Sequence, residues 1–495
     1  MKPPSSMPKL DPDAYPEQPA GLTLEQVHVY VRHGERTPVR TIMNSHPAYI
    51  PEHWPLCKRE RKLSTIPPSP DIGHGNAHSP GGIDVERVVE SRNGDLTSGI
   101  CMMGELTDIG HQSTHDFGKA LRKIYIERLG FLPDSTQSTS PAYFRSTNVP
   151  RTIESLQQII NGLYPKGKNL HRPRLVVRYV PSSLNHSESH TRQPFVATIG
   201  EYGGRRKSPP HATERWTSGE VDTFLRRKYR SNAKDEIIAP NHIGCRRLER
   251  LNASFGKAVA EGLNSTLKPL DQHLSKYLGG EPVRVDGKPK ASGILDTIRA
   301  AKAHNIQLPG EFNDQRTVDL LESAVVTEWF GGYENPEYRK LAIGPLLEDL
   351  QKKMQRKVEK RDQDPLKLLV YSTHDTAIVG ITNAFDVFDR RWPDFTASVT
   401  FELFKQPPQL VKQAKLFGFP SPMNMNPSAS RPSHYVRMRY QNKSLPLPAC
   451  AKPGDHLPGH PELCTLQAFQ RHVKGLTPED WEKECTPQPP PVKSS

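Results

Sequence analysis

The sequence predicts an α/β fold built on a mixed β-sheet, and three observations point to it. Between Leu24 and Val31, Val27, Val29 and Val31 alternate with Gln26, His28 and Tyr30, the period of two that marks a strand. Short apolar runs at 175–180 and 366–371 lie close to segments of helical period, the pattern of strand–helix units. Late in the chain, Val399, Phe401 and Leu403 alternate, as do Val436, Met438 and Tyr440, and these read as antiparallel partners.

Taken in order, residues 1–21 read as a disordered lead-in with no apolar stretch of signal-peptide kind. The first strand runs directly into RHGERTP at 32–38, where Gly34 permits a sharp turn and Pro38 opposes further strand. Residues 41–99 lack periodicity, and 59–99 read as a loop-rich insertion. Thr107 is placed to cap a helix running to about Leu129, with Phe117, Leu121 and Ile124 on one face. A second helix is expected from about Val149 to Leu163, then the strand at 175–180. Residues 183–245 lose the pattern, and 196–240 read as an exposed addition. From 246 to 330 the signal is helical, interrupted at 286–294. The strand at 366–371 leads into STHDTA and a helix through Phe385; a last helix covers 466–473, and 486–495 reads as a disordered tail.

The 495 residues are enough for one large domain or two smaller ones. Apolar residues make up 35% and charged residues 24%, lean for a globular chain but not disordered. The 48 prolines are about twice the usual ~5% share, which implies many loops around an ordinary core. No apolar run approaches the ~18 residues of a transmembrane helix. Lys plus Arg outnumber Asp plus Glu by 67 to 54, a charge of +13 that favours anionic partners. The basic clusters at 58–62, 205–207, 226–228 and 390–391 are scattered and carry no aromatic RNA-binding signature, so no nucleic-acid partner is expected. Oligomeric state is open.

Sequons at Asn252, Asn264 and Asn442 are candidate glycosylation sites, although such triplets also arise by chance. Six cysteines, at 57, 101, 245, 450, 464 and 485, include no close pair of metal-site spacing; structural disulfides rank slightly ahead of buried thiols, and the pairing stays open. Disulfides and sequons require an oxidising compartment. Location is therefore secretory, vacuolar or lysosomal, or extracellular if a leader is missing, and otherwise intracellular.

Two strand ends carry histidines, His33 after the first and His374–Asp375 after the late one. Ligands in open α/β sheets bind beyond the carboxyl ends of strands, where two such loops can converge. Arg32 and Arg36 flank His33 and favour its neutral ring, whose lone pair can attack phosphorus. Guanidinium forks match phosphoryl oxygens. The plainer reading of that loop is a basic surface turn. Arg145 in AYFRSTN stands near a helix start and is equally an ordinary arginine. His374–Asp375 could be a metal pair, a capping pair, a base with its orienter, or a carboxylic acid that protonates a leaving oxygen; no third metal ligand is near.

With these residues in place, the chain resembles the histidine acid phosphatases, the second branch of the histidine phosphatase superfamily, which includes lysosomal, prostatic and lysophosphatidic acid phosphatases and phytases. RHGxRxP is matched by Arg32, His33, Gly34, Arg36 and Pro38; G-x-L-T-x-x-G by Gly104, Leu106, Thr107 and Gly110; the distal arginine motif by FRST at 144–147; and the HD signature by His374 and Asp375. The resemblance implies that His33 is the nucleophile of a phosphohistidine mechanism and that Asp375 protonates the leaving alcohol. Arg32, Arg36, Arg145 and His374 would bind the phosphoryl group, with no metal and no cofactor. It implies a phosphomonoesterase acting on a small-molecule or lipid phosphate ester, with phytase and a catalytically silent phosphate-binding protein as alternatives. It adds to the core a smaller, mainly helical cap domain at 186–321, inserted between core segments 22–185 and 322–485. The family-like ending pairs Cys450 with Cys464 and Cys245 with Cys485, and leaves Cys57 and Cys101 without assigned partners.

Overall fold

The computed structural model describes residues 9–17, 19–58, 61–63, 83–85, 87–91, 93–136, 141–168, 175–177, 236–407 and 434–486. The strands of the main sheet, in chain order, are β1 (Thr23–Arg32), β2 (Ala142–Ser146), β3 (Leu175–Val177), β4 (Leu368–Thr373), β5 (Ser398–Lys405), β6 (His434–Tyr440), β7 (Lys443–Leu445), β8 (His456–Leu457) and β9 (His460–Thr465). Across the sheet they run β8-β9-β6-β5-β1-β4-β2-β3, with β7 paired to β6. The half containing β1, β4, β2 and β3 is parallel and the half from β5 to β9 antiparallel, which is the mixed sheet the sequence predicts.

The alternation in β1 sorts its side chains between two cores. Val27, Val29 and Val31 face α1 (Asp108–Arg122) and α2 (Pro150–Leu163), where they meet Phe117, Leu121, Leu156 and Ile159. Tyr30 faces the other layer, with Tyr371, Phe401 and Phe469. That layer is closed by α6 (Pro336–Lys360), α7 (Asp375–Ala384) and α8 (Leu466–Leu476). Thr107 caps α1 by accepting from the Gly110 amide, as its position predicts. The helix then widens over Lys123–Arg128, where the Leu129 amide reaches back to the Ile124 carbonyl.

A third apolar cluster contains no residue of the main sheet. Helices α3 (Arg246–Leu267), α4 (Ala291–Ala303) and α5 (Gln315–Phe330) pack Leu267, Ile294, Ile298 and Leu321 around Phe312, with Trp54 and Ile50 from the loop after β1. The passage back to the sheet layer falls inside α5. Its Leu321 and Val325 belong to the helical cluster, while Val326 and Phe330 belong to the core on the sheet.

One expectation fails. The lead-in at 1–21 is not disordered over its described part: Leu10 and Tyr15 are buried against α1 and the sheet. Tyr15 Oη donates to Glu402 Oε1 at 2.9 Å, and the Asn442 side chain bonds both the Asp11 amide and the Lys9 carbonyl. The segment carries a few apolar anchors among polar residues, so composition alone conceals it. Residues 1–8, most of the 59–99 insertion, 178–235 and the tail beyond 486 lie outside the described residues.

All six cysteines are paired. Cys450–Cys464 and Cys245–Cys485 match the pairing the resemblance implies, and Cys57 joins Cys101. The second bond spans 240 residues and ties Cys485, near the end of the described residues, to the start of α3. No helix among the described residues is long and apolar enough to cross a membrane.

Candidate active site

The site is built on one parallel strand pair. β1 and β4 run in register with Arg32 opposite Thr373, so the next residues, His33 and His374, leave the sheet side by side. The His33 amide donates to the Thr373 carbonyl at 3.0 Å, and the two imidazole centroids are 5.7 Å apart. The loop that carries His33 is held from beneath by Gly110 at the start of α1. A Cβ on Gly34 would overlap the Gly110 backbone, and one on Gly110 would overlap the Glu35 backbone. The Gly34 amide also donates to Ser155 Oγ of α2 at 3.1 Å.

His33 is 2% exposed, and its Nδ1 lies 2.9 Å from the Gly34 carbonyl. A carbonyl can only accept, so Nδ1 carries the proton and Nε2 keeps the lone pair. Burial pushes the His33 pKa well below the ordinary imidazole value, and Arg151, Arg32, Arg36 and His374 push it further. The ring is therefore neutral. His374 is lowered by burial, Arg151, Arg32 and Arg36 against the opposing pull of Asp375. Its Nε2 lies 3.0 Å from Thr147 Oγ1.

Asp375 opens α7. Its Oδ2 receives Arg32 Nη2 at 2.8 Å and the Trp392 indole Nε1–H at 3.1 Å, and its Oδ1 accepts the Thr376 amide at 2.9 Å. Burial pushes this carboxyl up, but Arg32, His374 and Arg36 outweigh it and hold it below the usual carboxylate value. Arg36 is aimed by Asp296 of α4, Nη2 to Oδ1 at 2.9 Å, so a residue of the helical cluster enters the site. Phe395 lies under Arg32, with the guanidinium carbon 4.4 Å from the ring centroid, and beside His33 at 5.9 Å between centroids.

Four of the predicted residues thus gather around His33: Arg32, Arg36, His374 and Asp375. Arg145 behaves differently. It is 2% exposed, and its Nη2 pairs with Glu236 at 2.7 Å. The groups that feel its charge are Tyr30 and Tyr371. Arg151, which the sequence reading passed over, instead leads the charges acting on both histidines. Burial lowers its own pKa to about 10, with Arg36 and Arg32 adding to the shift. A signal for it existed: a lone cation directly after Pro150 in the first turn of α2 opposes the helix dipole unless an anion sits there. Arg32, Arg36 and Arg151 each keep a buried Nε without a hydrogen-bond partner among the described residues, as Arg145 does too, so this feature alone does not separate Arg151 from Arg145. Such orphaned donors around a neutral imidazole form a receptor for a compact polyanion. Among the described residues, no group of three or more His, Cys, Asp or Glu is arranged to hold a metal ion.

A parallel strand pair that presents a neutral histidine, an arginine cluster and an Arg-bound aspartate defines a phosphate-ester hydrolase of the histidine type. The model of the histidine phosphatase superfamily (branch 2) matches residues 23–441, and the chain belongs to this family as a histidine acid phosphatase. It is similar to a probable acid phosphatase of Schizosaccharomyces pombe, 30% identical over 98% of each chain. It is also similar to lysophosphatidic acid phosphatase type 6 of Bos taurus, 22% identical over 78% of this chain and 74% of that one. Lysosomal acid phosphatase of Xenopus laevis is 23% identical over 77% of this chain and 71% of that one.

Proposed function

We propose that the enzyme transfers the phosphoryl group of a monoester with a bulky, partly apolar alcohol to His33 and then to water. The observation that carries this reading is His33 itself, held neutral, with the proton on Nδ1 and the lone pair on Nε2, among guanidinium groups whose Nε atoms have no hydrogen-bond partner among the described residues. Nε2 attacks phosphorus as the ester P–O bond breaks; Asp375, protonated once the phosphoryl charge offsets the arginines that lower its pKa in the empty site, gives its proton to the departing oxygen. Water then attacks the phosphohistidine, its proton goes to the Asp375 carboxylate, and Nε2 regains its lone pair. Arg32, Arg36 and His374 hold the phosphoryl oxygens as charge develops on them. Arg151 takes the fourth place, in preference to the Arg145 of the sequence reading, because its charge leads those acting on His33 and His374, whereas Arg145 pairs with Glu236 and acts on Tyr30 and Tyr371.

The leaving alcohol is assigned to a cavity of ≈ 1240 Å³ between α3, α5 and the 282–292 segment, which reaches Thr376 beside Asp375. Trp329, Phe330, Tyr333 and Tyr338 give it an apolar wall. Its four basic residues, Lys257, Lys268, Arg284 and Lys290, are matched by four acidic ones. Burial raises Glu328 to about 7, so at acid pH the rim keeps only a small positive excess, far less than a polyphosphate site needs, and the apolar wall favours a single phosphate on a lipid-like or aromatic alcohol. The relatives named for lysophosphatidic acid support the same reading. The basic residues at 205–207 and 226–228 lie outside the described residues.

Acid-quenched enzyme should carry phosphate on His33, and His33→Ala should lose turnover by orders of magnitude while still folding. Label on another residue, with His33→Ala still active, refutes the nucleophile. Lysophosphatidate should be cleaved faster than phytate at equal concentration, and the reverse order refutes the substrate class.

A further inference from the structure

The segment Arg391–Phe395 touches the site through Trp392, Pro393 and Phe395, and Asp394 ties it to Arg299 of α4. The Trp392 indole donates to Asp375, the Pro393 carbonyl accepts from Arg32 Nη1, Asp394 pairs with Arg299 at 2.6 Å, and Phe395 underlies Arg32. The same segment is clamped to the helical cluster. The Trp392 amide donates to Glu322 Oε1 of α5 at 2.7 Å, Arg299 of α4 donates to the Trp392 carbonyl at 3.1 Å, and Arg391 pairs with Asp319 at 2.7 Å. The indole packs on Phe330 and Trp329, with centroids 4.9 and 5.4 Å apart, and those two residues line the cavity.

We propose that Trp392 is a positioning residue for proton delivery: its N–H and Arg32 together occupy Asp375 Oδ2, so the transferable proton resides on Oδ1. A carboxylate oxygen offers two in-plane lone pairs, and two donors at 2.8 and 3.1 Å use both on Oδ2. Among the described residues Oδ1 accepts only the Thr376 amide, which leaves it a lone pair for the proton. Loss of the indole N–H opens a second protonation site facing Trp392 and frees the carboxyl to rotate. The proton is then misplaced for part of the time, while the phosphate receptor of Arg32, Arg36 and Arg151 is untouched.

The inference rests on Asp375 being the proton donor, and the test separates the two ideas. Trp392→Phe keeps an aromatic ring against Phe330 and removes only the donor. An alkyl phosphate, whose alkoxide needs the proton, should lose about 10-fold in kcat, the scale of one hydrogen bond to a charged group. An activated aryl phosphate should change by less than about 2-fold, since its leaving group departs without full protonation. Competitive inhibition by inorganic phosphate should be unchanged. Asp375→Asn, run beside it, should show the same bias toward aryl esters in larger measure. If Asp375→Asn shows the bias and Trp392→Phe slows both esters equally or neither, the positioning role is refuted. If Asp375→Asn itself shows no bias, the proton-donor reading fails. Should Trp392→Phe not fold, Glu322→Ala removes the acceptor that holds the Trp392 amide and must show the alkyl-selective loss; its absence equally refutes the proposal.

Discussion

Replacing Arg151 and Arg145 one at a time by Gln distinguishes the guanidinium that meets substrate from the one that holds the fold. Arg151 has its pKa lowered from 12.5 to about 10, chiefly by burial and next by Arg36 and Arg32. That fall corresponds to roughly 3 kcal/mol of unfavourable interaction. The sign is fixed: folded and unfolded chains both carry this charge at pH 5–7, so the whole cost is present there and is relieved only above about pH 10. Arg151→Gln should therefore raise the melting temperature of the empty enzyme by a few degrees. Activity should move the other way, because loss of one preorganised donor to the transferring group costs about 10²–10³ in kcat. Inorganic phosphate should also protect the variant less against heat. Arg145→Gln strips Glu236 of its 2.7 Å partner at a site where the arginine is 2% exposed, and breaking such a pair costs about 3–5 kcal/mol. It should melt earlier and lose comparatively little turnover. Calorimetry with and without phosphate, alongside steady-state kinetics, reads all five quantities. A 10²-fold loss in Arg145→Gln with near-normal kinetics in Arg151→Gln would refute the assignment.

Glu402 is buried between Arg437 and Arg439 with its pKa held at about 2; burial pushes it up, but Arg439 and Arg437 overcome that. Its folded value lies below the unfolded one, so its contribution is complete above about pH 4.5 and is lost as pH falls toward 2. The melting temperature should drop steeply over that window, and Glu402→Gln should flatten the drop while lowering stability at neutral pH. The Cys245–Cys485 bond closes a loop of 240 residues, for which the chain-entropy estimate is ~5 kcal/mol at most. Removing either cysteine should lower the melting temperature, removing both should cost little more, and additive losses would show that the bond is not the cause.

Where the sequence was legible, a short-range pattern carried the information. The valine alternation in β1 marked a buried strand, and the histidines after β1 and β4 marked its functional end. Charged residues within strands were harder to read. The apolar alternation in β5 and β6 was plain, but Glu402, Arg437 and Arg439 on their other face look solvated in sequence. They are buried because Tyr15 and Tyr125 cover them, contacts that span hundreds of residues. Arg145 and Arg151 stand in one short segment, and sequence favoured the one nearer the recognised motif. Their difference lies in direction: Arg145 belongs to a strand, whereas Arg151 points from the first turn of a helix. The clasp of Arg391–Phe395 on Asp375 had no signature, because each bond reaches a different distant element.

The placement of β4 has a consequence for how this enzyme comes into being. Leu368–Thr373 lies between β1 and β2, which precede it by more than two hundred residues, and both neighbours are parallel to it. During synthesis the amino-terminal two-thirds of the chain emerges with a vacant slot in its sheet and with His33 lacking its companions. Such long-range parallel pairing closes slowly and leaves strand edges open meanwhile. Nascent chains and fragments cut before residue 368 are thus incapable of cleaving phosphate esters. Hydrolytic power waits on the strand that sets His374 and Asp375 beside His33, and β5 to β9 and α8, made later still, close the core over it.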